Sequence, residues 1–306
     1  MPKLSLRDIR KRIGSVRSTQ QITKAMKMVA TAKLRRAQEN ILAARPYAMK
    51  IAEVLEGLVG KASPDAHPLL AERAGGAKRV ELVLYTSDRG LCGAYNINLI
   101  QRAERFVEEQ KAANHEVAVS FIGRKGRDYF RKRKVPTHRE FTNFFGRVDY
   151  PLAARIGQEL VLAFIEKQVD AIYLLYSEFR SVVQHRIILK RILPVVPGIS
   201  GEEESGASPA VAKEKHRGAE AAEYLYEPSQ REILDKILPL YVEVQVYRGL
   251  LESLASELGA RMTAMENATN NAAEMIEKLT LVYNKARQAA ITKELIEIVS
   301  GAEALK

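Results

Sequence analysis

Two glycines, Gly90 and Gly93, stand between an apolar run that reads as a strand and a stretch that reads as a helix, where a phosphate-cradling loop would sit. That chemistry needs more than two glycines. Neither G-x-G-x-x-G nor G-x-x-x-x-G-K-[ST] occurs, and no acidic residue closes the next strand to hold a ribose, so a tight structural turn outweighs a nucleotide site. Cys92, in the same turn, is the only cysteine, which excludes an internal disulfide and a multi-cysteine metal site. With no histidine placed beside it, it reads as a small turn residue rather than a nucleophile. His67, His115, His138, His185 and His216 are scattered without ligand spacing and read as surface or loop residues. No catalytic constellation, cofactor site or metal site emerges.

The cations carry a clearer signal. The formal net charge is +11 and the pI is near 9.6, which points to an anionic partner. Arg7, Arg10, Lys11, Arg12, Arg17, Lys24, Lys27, Lys33, Arg35 and Arg36 crowd the first segment, opposed only by Asp8 and Glu39. Such a run is usually a solvated face, but so many like charges repel one another unless an acidic surface answers them. Nucleic acid could do so, and a basic coiled-coil protein binding nucleic acid is the alternative reading. The segment lacks stacking aromatics and any known nucleic-acid motif, so an acidic protein collar fits better.

Two helices must position those charges. Residues 229–300 read as one helix of about seventy residues, roughly 105 Å long at 1.5 Å per residue. Its apolar stripe runs Ile237, Leu240, Val244, Tyr247, Leu251, Leu254, Leu258, then Met265, Ala268, Ala272, Met275, Leu279, Val282, Ala286 and Ala289, broken only by Arg261. A repeat of 3.5 held that long marks a supercoiled helix in need of a partner. At that length, most of it should not pack against its own globular body. The partner is the first segment, to about Leu58. Its stripe begins at Leu6, Ile9, Ile13 and Val16 and continues in phase through Ala30, Leu34, Ala37, Ile41, Ala44, Ala48, Ile51, Leu55 and Leu58. Between the halves lie Gln20, Thr23 and Lys27. Either the register shifts there onto Ile22, Met26 and Val29, or this turn contacts another protein; the residues leave both open. Ser5 with Asp8, and Ser229 with Glu232, are capping signals, and Pro46 and Pro239 should kink or divide their helices.

Between the helices the texture changes. Residues 60–78 read as a linker; 80–87, 117–123, 171–177 and 182–193 as strands, the last two an antiparallel pair at a sheet edge; 96–114, 125–133 and 151–167 as helices. Residues 197–217 have the composition of a mobile loop. The fold class is thus α/β: a long antiparallel coiled coil of N- and C-terminal helices with an inserted Rossmann-like α/β domain. Its parts are helix 1–60, domain 79–195, mobile loop and connection 196–228, and helix 229–306, giving a rod with a head. The 46% hydrophobic and 28% charged content is that of a folded chain. A lone cysteine, no long apolar run and no secretory signal suggest a reducing compartment and a protein soluble or peripheral to a membrane.

ITKAMKMVATAKLRRAQ (residues 22–38), TSDRGLCGAYN (86–96), YLYEP (224–228), ARMTAMENATNNA (260–272) and LVYNKARQAAITKELIEIVSGAEAL (281–305) together resemble the gamma subunit of F-type, bacterial ATP synthases. The resemblance spans essentially the whole chain. It implies a non-catalytic rotor shaft: a helical hairpin inside a ring of alpha and beta subunits, and a foot that meets epsilon and the membrane rotor ring at the cytoplasmic face of the cell membrane. Proton flow turns the ring, and the asymmetric shaft takes the beta sites through different nucleotide affinities. By the same resemblance Arg287, Gln288 and Thr292 match the contacts to beta, with Met26 and Lys27 the opposing patch on the first helix. Tyr224 and Glu227 match the region meeting epsilon and the rotor ring. Lys33, Arg35 and Arg36 are assigned to an acidic loop of beta on charge alone. Gly259 stands where alanine is expected and should soften the shaft slightly.

Overall fold

The computed structural model describes residues 5–59, 66–73, 76–133, 135–143, 148–182, 184–196, 202–203 and 229–303. The elements are α1 (Leu6–Val59), β1 (Arg79–Tyr85), α2 (Tyr95–Ala112), β2 (Glu116–Ile122), α3 (Arg124–Arg131), β3 (Thr137–Phe141), α4 (Tyr150–Ile165), β4 (Ala171–Phe179), β5 (His185–Leu193), β6 (Glu202–Glu203) and α5 (Gln230–Glu303). By internal packing they form two units: Met1–Thr31 with Arg261–Lys306, and Ala32–Ala260. Both long helices contribute to each.

The two caps form as expected. The Asp8 amide donates to the Ser5 hydroxyl at 3.2 Å, and the Glu232 amide to that of Ser229 at 3.3 Å. The prolines do not divide the helices, since α1 continues past Pro46 and α5 past Pro239. Each removes one backbone bond, but at Pro239 the turns on either side are held by fully buried Leu238 and Val242.

In the larger unit the strands lie in the order β3-β2-β1-β4-β5-β6. β1 runs parallel to β2 and β4, β2 parallel to β3, and β4 antiparallel to β5. Two strands escape the sequence reading. β3 is THREF, with only Phe141 buried, so it carries no apolar alternation. β6 is two glutamates that pair with Leu189 and Lys190 of β5 inside the stretch read as mobile. β5 is therefore not the sheet edge. The rest of that predicted loop, at 197–201 and 204–217, lies outside the described residues.

Both faces of the sheet are covered, as a parallel sheet requires. Val80, Leu82, Leu84, Val119 and Phe121 pack with α2 and α3, while Val83, Tyr85, Ile172, Leu174 and Tyr176 pack with α4 and α5. α5 from Arg261 onward, more than half of the helix, belongs to the smaller unit, and its first turns are the part that packs on this sheet. Leu234, Leu238, Val242, Val246 and Leu250, four residues apart, are fully buried on the sheet and α4. A helix lying on a sheet buries a wide face along its i+4 ridge, so the first turns of α5 carry two apolar faces. Gly157 permits this approach: a Cβ there would meet Glu243 Cα and Cγ at 2.9 Å. Gly157→Ala is expected to lower stability by about 1–3 kcal/mol through overpacking, read as a lower urea midpoint in circular dichroism.

Part of the stretch read as a linker is also built in, within 66–73. Leu69 and Leu70 join the core, and the Leu69 carbonyl accepts from the Val195 amide at 2.8 Å. His67, expected on the surface, is buried with Nε2 3.1 Å from Asp235. Burial pushes its pKa down, and Asp235 offsets only part of that. At Gly259 a side chain would be crowded, since His185 Cε1 and Phe179 Cε2 lie 3.2 Å from where its Cβ would be.

One polar network crosses the sheet interior. Glu81 of β1 is fully buried and accepts from Arg139 Nη1 at 2.8 and 2.9 Å and from the Ser120 hydroxyl. His138 Nδ1 lies 3.2 Å away. The Arg139 amide in turn donates to Ser120 Oγ at 3.1 Å, so one carboxylate ties β1, β2 and β3.

Candidate functional site

In the smaller unit α1 and α5 meet along a seam of small and apolar side chains: Ile9 and Ala30 from one, Met265 and Ala272 from the other, all buried. The polar break in the α1 stripe is not a register shift, because Ile22 and Val29 are 59% and 56% exposed and Met26 is half-buried. Thr23 keeps the seam position, buried, with its hydroxyl 2.7 Å from that of Thr269. Lys27 Nζ donates to Glu266 Oε1 at 2.7 Å. α5 supplies a polar partner for each, so the stripe has no reason to change phase. Nearer the start of α1, the Arg10 guanidinium donates to the Tyr283 hydroxyl and lies over its ring, 5.4 Å from the centroid.

This pairing places the predicted contact residues. Lys27 lies beside Glu266, about twenty residues before Arg287 on α5, and at 1.5 Å per residue that is roughly 30 Å. Met26 and Lys27 are therefore a patch separate from Arg287, Gln288 and Thr292, not one opposed to it. Arg287 and Gln288 are exposed; the exposed Thr292 donates its hydroxyl back to the Gln288 carbonyl at 2.9 Å. Residues 291–300 are exposed throughout, including Ile291, Leu295, Ile296, Ile298 and Val299. In the larger unit Lys33, Arg35 and Arg36 are exposed, with Arg35 Nε 3.3 Å from Glu39. Tyr224 and Glu227 lie outside the described residues. Sequence reading missed Glu266, Thr269 and Tyr283, whose partners are far away in the chain; the only local signal was a polar interval in the α1 stripe demanding an answer.

The turn of Gly90 and Gly93 is closed upon itself. Leu91 and Gly93 take positive φ of 67° and 55°. The Ser87 amide donates to Asn96 Oδ1 at 2.9 Å, and Asp88 Oδ1 accepts from the amides of Arg124 at 3.1 Å and Asn143 at 3.3 Å. Cys92 is buried, with Asn96 Nδ2 3.1 Å from its sulfur. The Ser87 amide and the Asp88 carboxylate are thus engaged within the fold, in keeping with a structural turn. A cavity of about 730 Å³ does open in the larger unit, between α1, the β4–β5 hairpin and α5. Its walls include Arg45, Tyr47, Glu178, Arg248 and Glu252, and no part of the glycine turn. Burial, with Glu178 nearby, pushes the Glu252 carboxyl up despite a bond from the Phe179 amide. Among the described residues, no group of three or more His, Cys, Asp or Glu side chains could hold a metal ion.

Known proteins share this pattern along its whole length. The sequence matches the family described as ATP synthase over residues 5–305. It is 50% identical over 302 residues to the ATP synthase gamma chain of Geobacter metallireducens, covering 99% of each chain. It is 49% identical to that of an Anaeromyxobacter species over 306 residues, again 99% of each. Among solved structures, a chain of the Euglena gracilis mitochondrial ATP synthase has a TM-score of 0.69 at 19% identity, covering 98% of this chain and 94% of its own. One from the central stalk and c-ring of the Tetrahymena thermophila enzyme has a TM-score of 0.57 at 24% identity, covering 81% and 99%. These two likenesses are of fold.

Proposed function

The chain belongs to the family of ATP synthase gamma chains, and from that premise we propose how its residues serve the complex. It is the central rotor shaft, coupling ion flow through the membrane ring to ATP synthesis or hydrolysis. We assign it no catalytic step of its own. The beta subunits hold the nucleotide, and this chain biases them by touching each differently as it turns. A shaft that met all three alike could shift no equilibrium among them. The partners in this reading are alpha, beta, epsilon and the rotor ring, with protons as the driving ion, at the cytoplasmic face of the cell membrane. Among the described residues no helix is long and apolar enough to cross a membrane, so membrane association runs through the ring. Nothing beyond charge supports the nucleic-acid reading.

The observation that carries the contact assignments is the end of α5, where large apolar side chains stand in the open beside Arg287 and Gln288. Exposed apolar surface of this kind marks a protein interface. We place Arg287, Gln288 and Thr292 against beta. Met26 and Lys27 form a second contact beside exposed Ile22, Met28 and Val29, and Lys33, Arg35 and Arg36 face acidic side chains of beta. Tyr224 and Glu227 are assigned to epsilon and the ring on resemblance alone.

The test is made in the assembled complex. The chain should co-purify with alpha and beta, and Arg287→Ala with Gln288→Ala should cut ATP synthesis by inverted vesicles roughly fivefold, the effect of losing a central interface contact. An unchanged rate would remove both residues from the contact set. A complex that couples transport equally well without this chain would overturn the shaft role itself.

A further inference from the structure

Three polar contacts in the smaller unit share one alignment. In Thr23 with Thr269, Lys27 with Glu266 and Arg10 with Tyr283, the two residue numbers add to the same value within one. That is the signature of a single antiparallel register. The apolar positions around Thr23 and Lys27 do little to enforce it, because Ala30, Met265, Ala268 and Ala272 are small or adaptable and would fit several alignments. Slide one helix by a heptad, about seven residues, and the apolar stripe still faces its partner. The polar contacts do not survive. Lys27 would stand opposite Gly259 or Ala273, Thr23 opposite Met262 or Ile276, and Arg10 opposite Ile276 or Ala290.

We propose that the polar layer of Thr23, Lys27, Glu266 and Thr269, seconded by Arg10 and Tyr283, is the register lock of the shaft. Lys27 and Glu266 are its principal positioning residues. Resting on the shaft reading above, the lock sets how far the end of α5 stands beyond α1, and so where Arg287 meets its partner. The Lys27–Glu266 pair is 37% and 46% exposed at its side chains, so it adds little to stability as such. Its work is discrimination: a polar layer in an apolar seam penalises every alignment in which its members lose one another.

The experiment uses the assembled complex in vesicles with Lys27→Glu, Glu266→Lys and the double exchange. Each single reversal sets like charges against one another and is expected to lower ATP-driven proton pumping per ATP hydrolysed about threefold or more. The double exchange restores the pair in the opposite sense and should recover about half or more of the coupling that each single loses, the remainder being the share of Lys27 in the contact with beta. Spin labels at Arg17→Cys and Lys278→Cys should give a narrow distance distribution in the parent and the exchange, broadened in the singles. Singles that behave as the parent overturn the lock. So does an exchange no better than Lys27→Glu, which would mean that Lys27 acts on the partner subunit and leaves the shaft reading intact. If the singles fail to assemble, assembly becomes the readout: an assembling exchange supports the lock and a failing one overturns it.

Discussion

Arg139→Ala is expected to remove about 3–5 kcal/mol of folding stability, the loss found when one partner of a buried ion pair is deleted. The reason is Glu81, which has no exposed surface and receives two contacts from Arg139 Nη1. Without the guanidinium its charge stays buried with only the Ser120 hydroxyl and His138 near it. Chemical unfolding followed by circular dichroism measures the loss; a change below about 1 kcal/mol, the size of an ordinary surface substitution, would refute it. The variant also has a pH signature. Burial alone would raise the Glu81 pKa, but the bonds from His138 and Ser120 and the charge of Arg139 outweigh it and hold the carboxyl below its ordinary 4.5. A depressed carboxylate contributes stability above its unfolded pKa and loses it as pH falls through the folded value. Removing Arg139 raises the folded value, so acid unfolding should begin at a higher pH than in the parent.

Gly123→Ala should be comparably damaging. Gly123 joins β2 to α3 at φ +93°, and a Cβ there would lie 2.0 Å from the Thr86 carbonyl oxygen and 2.7 Å from its carbon. Both are backbone atoms, and neither can swing away. Thr86 is held by its amide to the Ile122 carbonyl at 2.7 Å and by its hydroxyl, which accepts from the Gly126 amide at 2.9 Å. Strain in φ and overpacking together should cost on the order of 4 kcal/mol. Gly76→Ala is the control: its φ is +83° but nothing lies within 4 Å, so only the backbone strain of about 1–2 kcal/mol remains. Equal losses in the two variants would show that contact with Thr86 is not what forbids a side chain at 123.

What the sequence made legible follows from which interactions are local. The long helices announce themselves because their stripes repeat over many turns, and β1, β2, β4 and β5 because they are apolar runs. β3 was hidden since its Arg139 does its work by pairing with a glutamate on another strand. The second face of α5 was hidden by the first: the heptad stripe explained Val244 and Leu251 and left Leu238, Val242 and Val246 without a role, though all are buried. At the candidate interface the positions of Arg287, Gln288 and Thr292 came from resemblance alone, since nothing about an exposed arginine or glutamine says what will cover it. The partners of Thr23 and Lys27 required the register, which no stretch of either helix contains by itself.

The smaller unit is assembled from the two extremes of the chain, and this bears on how the protein is made. Residues up to Thr31 leave the ribosome before their counterparts from Arg261 onward, which must wait until all of Ala32–Ala260 has been synthesised. At ~5–20 residues added per second the delay is roughly ten to fifty seconds. Through that interval Ile9, Val16 and Ala30 are apolar side chains whose future neighbours do not yet exist. The same stretch carries Arg7, Arg10, Lys11, Arg12, Arg17, Lys24 and Lys27, and like charges at that density keep nascent copies hydrated and apart. The same positive charge thus disfavours association between half-made copies during translation.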